Sequence, residues 1–534
     1  MNYILETYGC QMNVAESAAM EQILREHGWE KSLEDDGNGG GRLLFHKSLY
    51  RHKKTPYPNL PRVRGLQSPG AGLSPISTAA GAASGGNLSA RDDTNTIGYS
   101  EKNVKPIPQL VILNTCSVRA TAEQRILGRL AHWNAARRRG GAAKNGTPPF
   151  AILVAGCAAA NIADALRKGG ADYLLPPAEK HRFADILIEL EEIYRSAKHH
   201  AAVNPADNAE NNEVLPEAKF HHTAAAADGG FSQTHYTEDA ASAFVPVMSG
   251  CDNFCSYCIV PYLRGRETSR PPDAITKEID FLAQKGVREI TLLGQNVNAY
   301  KNGGGFAGLV RLAARRIEGT PIRWIRFLSA HPKDMGADVI EALAENPCFC
   351  RHIHLPLQHG SDRILAAMNR RYTRAAYLDL TRQLRAALPS LTLTTDILVG
   401  FPGETEDDIE CLLSLMNEVR FDSAFMYHYN PRKGTAAYHL PGRIDEDVKR
   451  ERLGRVIELQ NIHTKAARQA ALGAERLVLC DKPSRKNSAE FLCHSEHDEM
   501  CVIPAAGVSA GDFLRARFTA LEGSTFKAEH AALL

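Results

Sequence analysis

The chain has 534 residues, 44% of them hydrophobic and 23% charged, which suits two to four soluble globular domains, and no apolar run is long enough to span a membrane. A net charge of +2 excludes a globally basic nucleic-acid binder, so any basic surface must be local. Twelve cysteines are too sparse for a disulfide scaffold in a chain of this length, and point instead to reduced thiols, some of them ligands.

The opening run, MNYILETYGCQMN, has no basic region followed by an apolar stretch. No secretory signal is therefore expected, and the expected location is cytoplasmic. Three strand-like runs follow along residues 1–196, each ending at a cysteine: NYILETYG before Cys10, QLVILNT before Cys116 and PFAILVAG before Cys157. A helix-like stretch follows each, so this domain is expected to be α/β with a parallel sheet. Right-handed crossovers place the C-terminal ends of parallel strands on one edge, so the three cysteines should converge there.

Residues 35–107 interrupt the pattern with Gly-, Ser- and Pro-rich sequence and the basic run HKSLYRHKKTPYPNLPRVRG. This segment is expected to be a disordered insertion, with a basic RNA-touching arm as the competing reading. Residues 197–243 read as a linker. From 244 to 470 the alternation returns, with strand candidates FVPVMSG, EITLLGQNV, WIRFLSA, HIHLPLQ, TLTTDILVGF and DSAFMYHYN. Six βα units imply a partial, TIM-like (βα)6 barrel. DVKRERLGRVIELQNIHTKAARQAALG reads as a connecting helix, and residues 471–534 as a small C-terminal β-barrel, with ERLVLCD and FLRARFTAL as its strands.

The run MSGCDNFCSYCIVPYLRGRE carries Cys251, Cys255 and Cys258 directly after the first barrel strand, at the mouth where such barrels build active sites. Thiolates suit zinc or iron–sulfur clusters. Structural zinc would need a fourth protein ligand, whereas three cysteines leave one iron of a [4Fe–4S] cube open. A zinc knuckle borrowing a distant histidine is the rival reading. Cys348, Cys350, Cys411, Cys480, Cys493 and Cys501 have no ligand-like context and read as ordinary buried or surface thiols.

A C-x3-C-x2-C motif in this position resembles the radical S-adenosylmethionine superfamily. YGCQMN, NTCSVR, LLGQNVNAY, SAHPKD, LPLQHGSD, TDILVGFPGETE and YHYNPRKGTAAY, in this order, further resemble the methylthiotransferases and, within them, the MiaB-type tRNA enzymes. The resemblance runs from residue 2 to about 465, apart from the two weak segments. It implies two [4Fe–4S] clusters, one on Cys251, Cys255 and Cys258 and one on Cys10, Cys116 and Cys157. It also implies S-adenosyl-L-methionine as cofactor, with Tyr257 near its adenine and Gly400, Gly403 and Glu404 along it, and a TRAM-type RNA-binding C-terminal domain. The implied reaction adds a methylthio group to C2 of N6-isopentenyladenosine next to the anticodon in tRNA. An electron donor of the flavodoxin or ferredoxin type and a sulfur source would be the further partners.

Gln295 and Asn296, Ser329 and His331, and Gln358 and Ser361 end the second, third and fourth barrel strands. Gln295, Ser329 and Gln358 are taken as cofactor-binding candidates, with loop-ordering hydrogen bonds as the alternative. Arg264, Arg266 and Arg270 are candidates for tRNA phosphates or for structural roles. After Cys157 the chain reads AAANIAD where the family has a Met-Ala-Gln-Arg-like run, which puts a local contact in doubt rather than the ligand. The rivals are sister methylthiotransferases acting on threonylcarbamoyladenosine in tRNA or on a ribosomal-protein aspartate, and a non-catalytic iron–sulfur electron carrier.

Overall fold

The computed structural model describes residues 1–32, 34–35, 41–42, 108–117, 120–140, 149–203, 236–237 and 239–533. They fall in one compact unit, Met1–Leu44 with Ile107–Leu534. The insertion expected over residues 35–107 lies outside the described residues, apart from 35 and 41–42. So does most of the expected linker, although the helix Phe183–Val203 runs past its anticipated start.

The three expected N-terminal strands, Asn2–Tyr8, Leu110–Thr115 and Ala151–Gly156, are adjacent and parallel. The short strands Glu30–Lys31 and Tyr173–Leu175 flank them and complete a five-stranded sheet. Both faces are covered. Leu5, Ile112 and Leu153 face one apolar layer, while Ile4, Val111 and Val154 face the other. That two-sided burial is why these runs are continuously hydrophobic rather than alternating. Tyr8, Thr115 and Gly156 stand level across the sheet, so the chain leaves all three strands at the same height.

The second region contains the six expected parallel strands. Ser242–Pro246, Glu289–Leu293 and Trp324–Phe327 form one sheet. His352–His354, Thr392–Val399 and Ser423–His428 form the next. A parallel bridge between Ile325 and Phe349 joins the two into an open barrel. Amphipathic helices such as Pro272–Gln284 and Glu406–Val419 cover its outside, burying Ile275, Ile279, Leu412 and Leu415 in one shared core. The helix Glu446–Ala471 then leads to a closed barrel of five strands: Glu475–Pro483, Glu490–Ser495, Met500–Pro504, Phe513–Glu522 and Thr525–Leu533. Among the described residues no helix is long and apolar enough to cross a membrane.

The five-stranded barrel is tied to the six-stranded one. Glu289 accepts from Arg326 at 2.7 Å and bonds His494 at 3.2 Å, and His494 also reaches Asp481 at 3.1 Å. Arg326 donates to the Ser495 carbonyl at 2.7 Å, and Trp324 packs edge-on against Phe513 with ring centres 4.8 Å apart.

Candidate functional site

Cys10, Cys116 and Cys157 follow three neighbouring strands and meet at one sheet edge. Cys10 caps the helix Gln11–Glu26, and Cys157 opens the short helix Cys157–Asn161. The Cys116 amide donates to the Tyr8 carbonyl at 2.9 Å. Two glycines let the loops close this far. Gly9 has a φ of +145° and Gly156 a φ of +87°, and a Cβ on them would stand 2.6 Å from Cys116 Cβ and 2.3 Å from the Thr115 carbonyl oxygen respectively. Asn13 braces the group: its Oδ1 lies 3.4 Å from the Cys10 amide and its Nδ2 donates to Asn114 Oδ1 at 3.0 Å. Asn114 in turn donates to the Asn13 carbonyl and to Ser17 Oγ, each at 2.9 Å.

The thiols of this group interact. A hydrogen bond from Cys116 lowers the Cys10 pKa to about 6, with Arg264 assisting against the cost of burial. Burial raises that of Cys157, and Arg264 opposes it. Arg264 comes from the other cysteine loop, and its side chain is 3% exposed. Its Nε donates to Cys157 Sγ at 3.3 Å, and its terminal nitrogens hold both oxygens of Glu16 at 2.9 and 3.3 Å. A second tie runs from Arg432, after the sixth barrel strand, to Glu123 at 2.9 Å, and Glu123 also accepts from Ser117 and Asn161 beside the cysteines.

The loop of Cys251, Cys255 and Cys258 begins at a clasp in which Met248–Ser249 pairs with Thr268–Ser269. Gly250, with φ +80°, is required there, because a Cβ would sit 2.0 Å from the Arg266 carbonyl oxygen. The loop is pinned from several sides. The Gly250 amide donates to Gln295 Oε1 at 2.6 Å, Ser256 Oγ to the Ala367 carbonyl at 2.8 Å, and Asn369 to the carbonyls of Asn253 and Phe254 at 3.0 Å each. Burial, with the neighbouring thiols adding to it, raises Cys251 to about 11 and Cys258 to about 12. Buried Arg370 donates to Cys255 Sγ and to the Tyr257 hydroxyl, both at 3.5 Å.

Both sets suit a cluster. Burial makes Cys157, Cys251 and Cys258 poor isolated thiolates, and metal coordination would remove the proton and supply the missing countercharge. Among the described residues no three His, Cys, Asp or Glu are spaced for one metal ion. In each set an arginine donates to one sulfur.

The other expected site residues divide. Gln295 accepts from the Gly250 amide through its oxygen, a loop-ordering contact. Ser329 and Gln358 hold left-handed backbones, with φ of 66° and 71°, at the ends of barrel strands. Tyr257 packs beside Phe401 and Tyr429. Gly400, with φ +72°, donates its amide to both oxygens of Glu404 at 2.8 and 2.9 Å. Glu404 is held by the protein's own groups. Its carboxylate is fully buried and taken up by Gly400, by Arg452 at 2.9 Å and by His359 at 3.2 Å. Gly403, φ +77°, receives Arg363 on its carbonyl at 2.9 Å. Ser361 is taken by Asp408 at 2.6 Å. Of the three arginines only Arg266 is exposed; Arg270 is buried against Glu278 and Arg264 against Glu16, so neither is a phosphate contact.

His331 offers a free donor. Its Nδ1 accepts from the Lys333 amide at 3.2 Å, so the proton sits on Nε2, which has no partner among the described residues. Burial first, then Arg370, Lys333 and Arg371, push its pKa down to about 2, which keeps the ring neutral. Asn13, Asn114, Glu16 and Arg370 were not singled out from sequence. Asn13, three residues into a helix that a cysteine caps, is the one with a readable signal.

Two family models match the chain: the Radical SAM superfamily over residues 245–416 and Uncharacterized protein family UPF0004 over residues 91–175. A protein of Treponema denticola called tRNA-2-methylthio-N(6)-dimethylallyladenosine synthase is 38% identical, with 99% of each chain covered. The protein of that name from Treponema pallidum subsp. pallidum is 37% identical over 99% of this chain and 98% of its own. The one from Methylacidiphilum infernorum is 36% identical over 80% of this chain and 88% of its own.

Proposed function

The chain belongs to the family of tRNA-2-methylthio-N(6)-dimethylallyladenosine synthases, and from that premise we propose that it is a radical S-adenosylmethionine enzyme adding a methylthio group to C2 of N6-isopentenyladenosine beside the anticodon of tRNA. The observation that carries this reading is the pair of three-cysteine sets at neighbouring sites, linked by Arg264. Cys251, Cys255 and Cys258 would hold one [4Fe–4S] cluster and Cys10, Cys116 and Cys157 the other; when bound, these supply reductive cleavage of S-adenosylmethionine and a site for the sulfur to be transferred.

The remaining work belongs to the protein's own groups. Glu404 holds the Gly400 turn so that backbone can approach a ligand closely. Tyr257, restrained by Arg370, lines the cysteine loop on the side of Phe401 and Tyr429, where apolar side chains exclude water. Neutral His331 presents an N–H donor after the third barrel strand, and Ser329 and Gln358 present polar groups after the third and fourth. Gly403 shapes the loop after the fifth strand. The C-terminal barrel, TRAM-like in its size and place in the chain, serves as the RNA-holding domain. The partners are tRNA carrying isopentenylated adenosine, a flavodoxin- or ferredoxin-like electron donor and a sulfur source, and the cytoplasm is the setting. Nucleoside mass spectrometry of isopentenylated tRNA treated with the reconstituted enzyme tests the reading. The methylthio product is expected only with S-adenosylmethionine and reductant, and its absence alongside robust 5′-deoxyadenosine formation would point to another substrate.

A further inference from the structure

Three cysteines that read as ordinary in sequence converge inside the C-terminal barrel. Glu475–Pro483 and Glu490–Ser495 run antiparallel with Cys480 directly opposite Cys493, and Met500–Pro504 brings Cys501 opposite Cys493 on the other side. All three are 0% exposed and share a core with Leu514, Phe518 and Phe526. The Cys493 and Cys480 sulfurs are 3.0 Å apart, and Cys501 stands opposite Cys493 on the neighbouring strand. Directly opposite residues of an antiparallel pair have Cα atoms about 4.5–5.5 Å apart, within the range of about 4.4–6.8 Å that a disulfide spans.

We propose that this trio is an oxidation site, in which Cys480 and Cys493 close a disulfide by exchange with a small-molecule disulfide of the glutathione type. The barrel offers an entry. Met500–Pro504 meets Thr525–Leu533 through two register pairs, Cys501↔Phe526 and Val502↔Lys527, whereas each of its other seams has at least five. The shortest seam opens at least cost, and Cys501 lies on it. Its thiolate attacks one sulfur of the small disulfide, forming a mixed disulfide and releasing one small thiol. Cys493 then attacks the Cys501 sulfur, and the second small thiol leaves. Cys480 attacks Cys493 last and frees Cys501. In sum, two protein thiols give up two electrons and two protons, and the small disulfide takes them up as two thiols.

The position gives the bond a consequence. His494 follows Cys493 on the opposite face of its strand, and Asp481 follows Cys480 at a register shift. These two form the hydrogen-bonded group that meets Glu289 of the six-stranded barrel. A covalent bond at the thiol pair therefore acts on the backbone that carries the contact between the barrels.

The test uses the full-length holoprotein, held without oxygen in glutathione buffers of graded poise, quenched with N-ethylmaleimide and mapped by peptide mass spectrometry. A Cys480–Cys493 linked peptide is expected at a poise where exposed Cys411 carries glutathione. Cys501→Ser should slow its formation at least several-fold while giving the same product, and Cys493→Ser should eliminate it. Cys480→Ala, a milder change to the core, should trap a Cys493–Cys501 bond instead. Free thiols at all three positions when Cys411 is fully modified would overturn the proposal, and so would a Cys480→Ala protein that forms no such bond.

Discussion

Arg264 donates to Cys157 Sγ at 3.3 Å although the two residues belong to different cysteine sets. The arginine ends the short helix Val260–Arg264 just after Cys258, and Glu16, from the helix that Cys10 caps, holds its other nitrogens. The buried guanidinium therefore fixes one cysteine loop against the other. Substituting it takes one partner from a buried ion pair, a loss of about 3–5 kcal/mol.

Arg264→Gln is expected to lower the denaturation midpoint and to cut methylthio transfer by at least tenfold, while 5′-deoxyadenosine formation stays within a few-fold of wild type. Arg264→Lys keeps the charge and loses the fork, and should fall between the two. A denaturant melt and the two product assays, run on the same preparations, decide it. Equal loss of both activities would show that the contact serves the barrel loop alone.

The two cysteine sets should also separate by mutation. Replacing Cys10, Cys116 and Cys157 together with alanine should remove about half the iron, because each set would hold one of two equal clusters. Reductive cleavage should continue and methylthio transfer should stop. Cys255→Ala should abolish both, since it lies in the other loop. Full iron content in the triple variant would remove the second cluster from the account.

Much of this was legible in sequence for identifiable reasons. The strands leading to Cys10, Cys116 and Cys157 are buried on both faces, so they read as unbroken apolar runs, and their placement on one edge followed from parallel topology. Glu30–Lys31 and Tyr173–Leu175 were missed because two or three residues carry no period. In the C-terminal barrel, EFLCHS and MCVIP pair with each other as a hairpin, but each is too short to carry a clear alternation in sequence. The partners of Glu404 were not readable, because only the fold brings Arg452 and His359 to it. The sulfur contacts of Arg264 and Arg370 were beyond reach for the same reason: their partners are more than a hundred residues away.

Gly250 gives a test confined to one loop. A methyl group there would meet the Arg266 carbonyl at 2.0 Å in a backbone conformation, φ +80°, that L-residues avoid. Gly250→Ala should displace the clasp before Cys251 and cost on the order of 1–3 kcal/mol in backbone strain. Iron should fall toward half, with S-adenosylmethionine cleavage lost. Gly454→Ala, where nothing beyond its own helix lies within 4 Å of the added carbon, is the control and should leave both unchanged. Normal cleavage by Gly250→Ala would mean that the loop tolerates a shift in its first residue.

The contact between the barrels should depend on pH from both sides. Burial alone would raise the Glu289 pKa, but Arg326 and His494 outweigh it and lower it from 4.5 to about 2. A depressed carboxylate contributes stability above its unfolded pKa and loses it as pH falls through the folded one. The window for Glu289 is therefore pH 4.5 down to about 2, and the shift corresponds to on the order of 3 kcal/mol. His494 runs the other way. Burial lowers its pKa, yet Glu289 and Asp481 overcome this and raise it well above 6.5. Its contribution is complete below 6.5 and disappears as pH rises through the raised value. Thermal melts of wild type and His494→Gln should differ most below pH 6.5 and converge in alkaline buffer, while wild type and Glu289→Gln should converge only in acid. A His494→Gln difference that grew with rising pH would reverse the sign and remove the charged histidine from the contact.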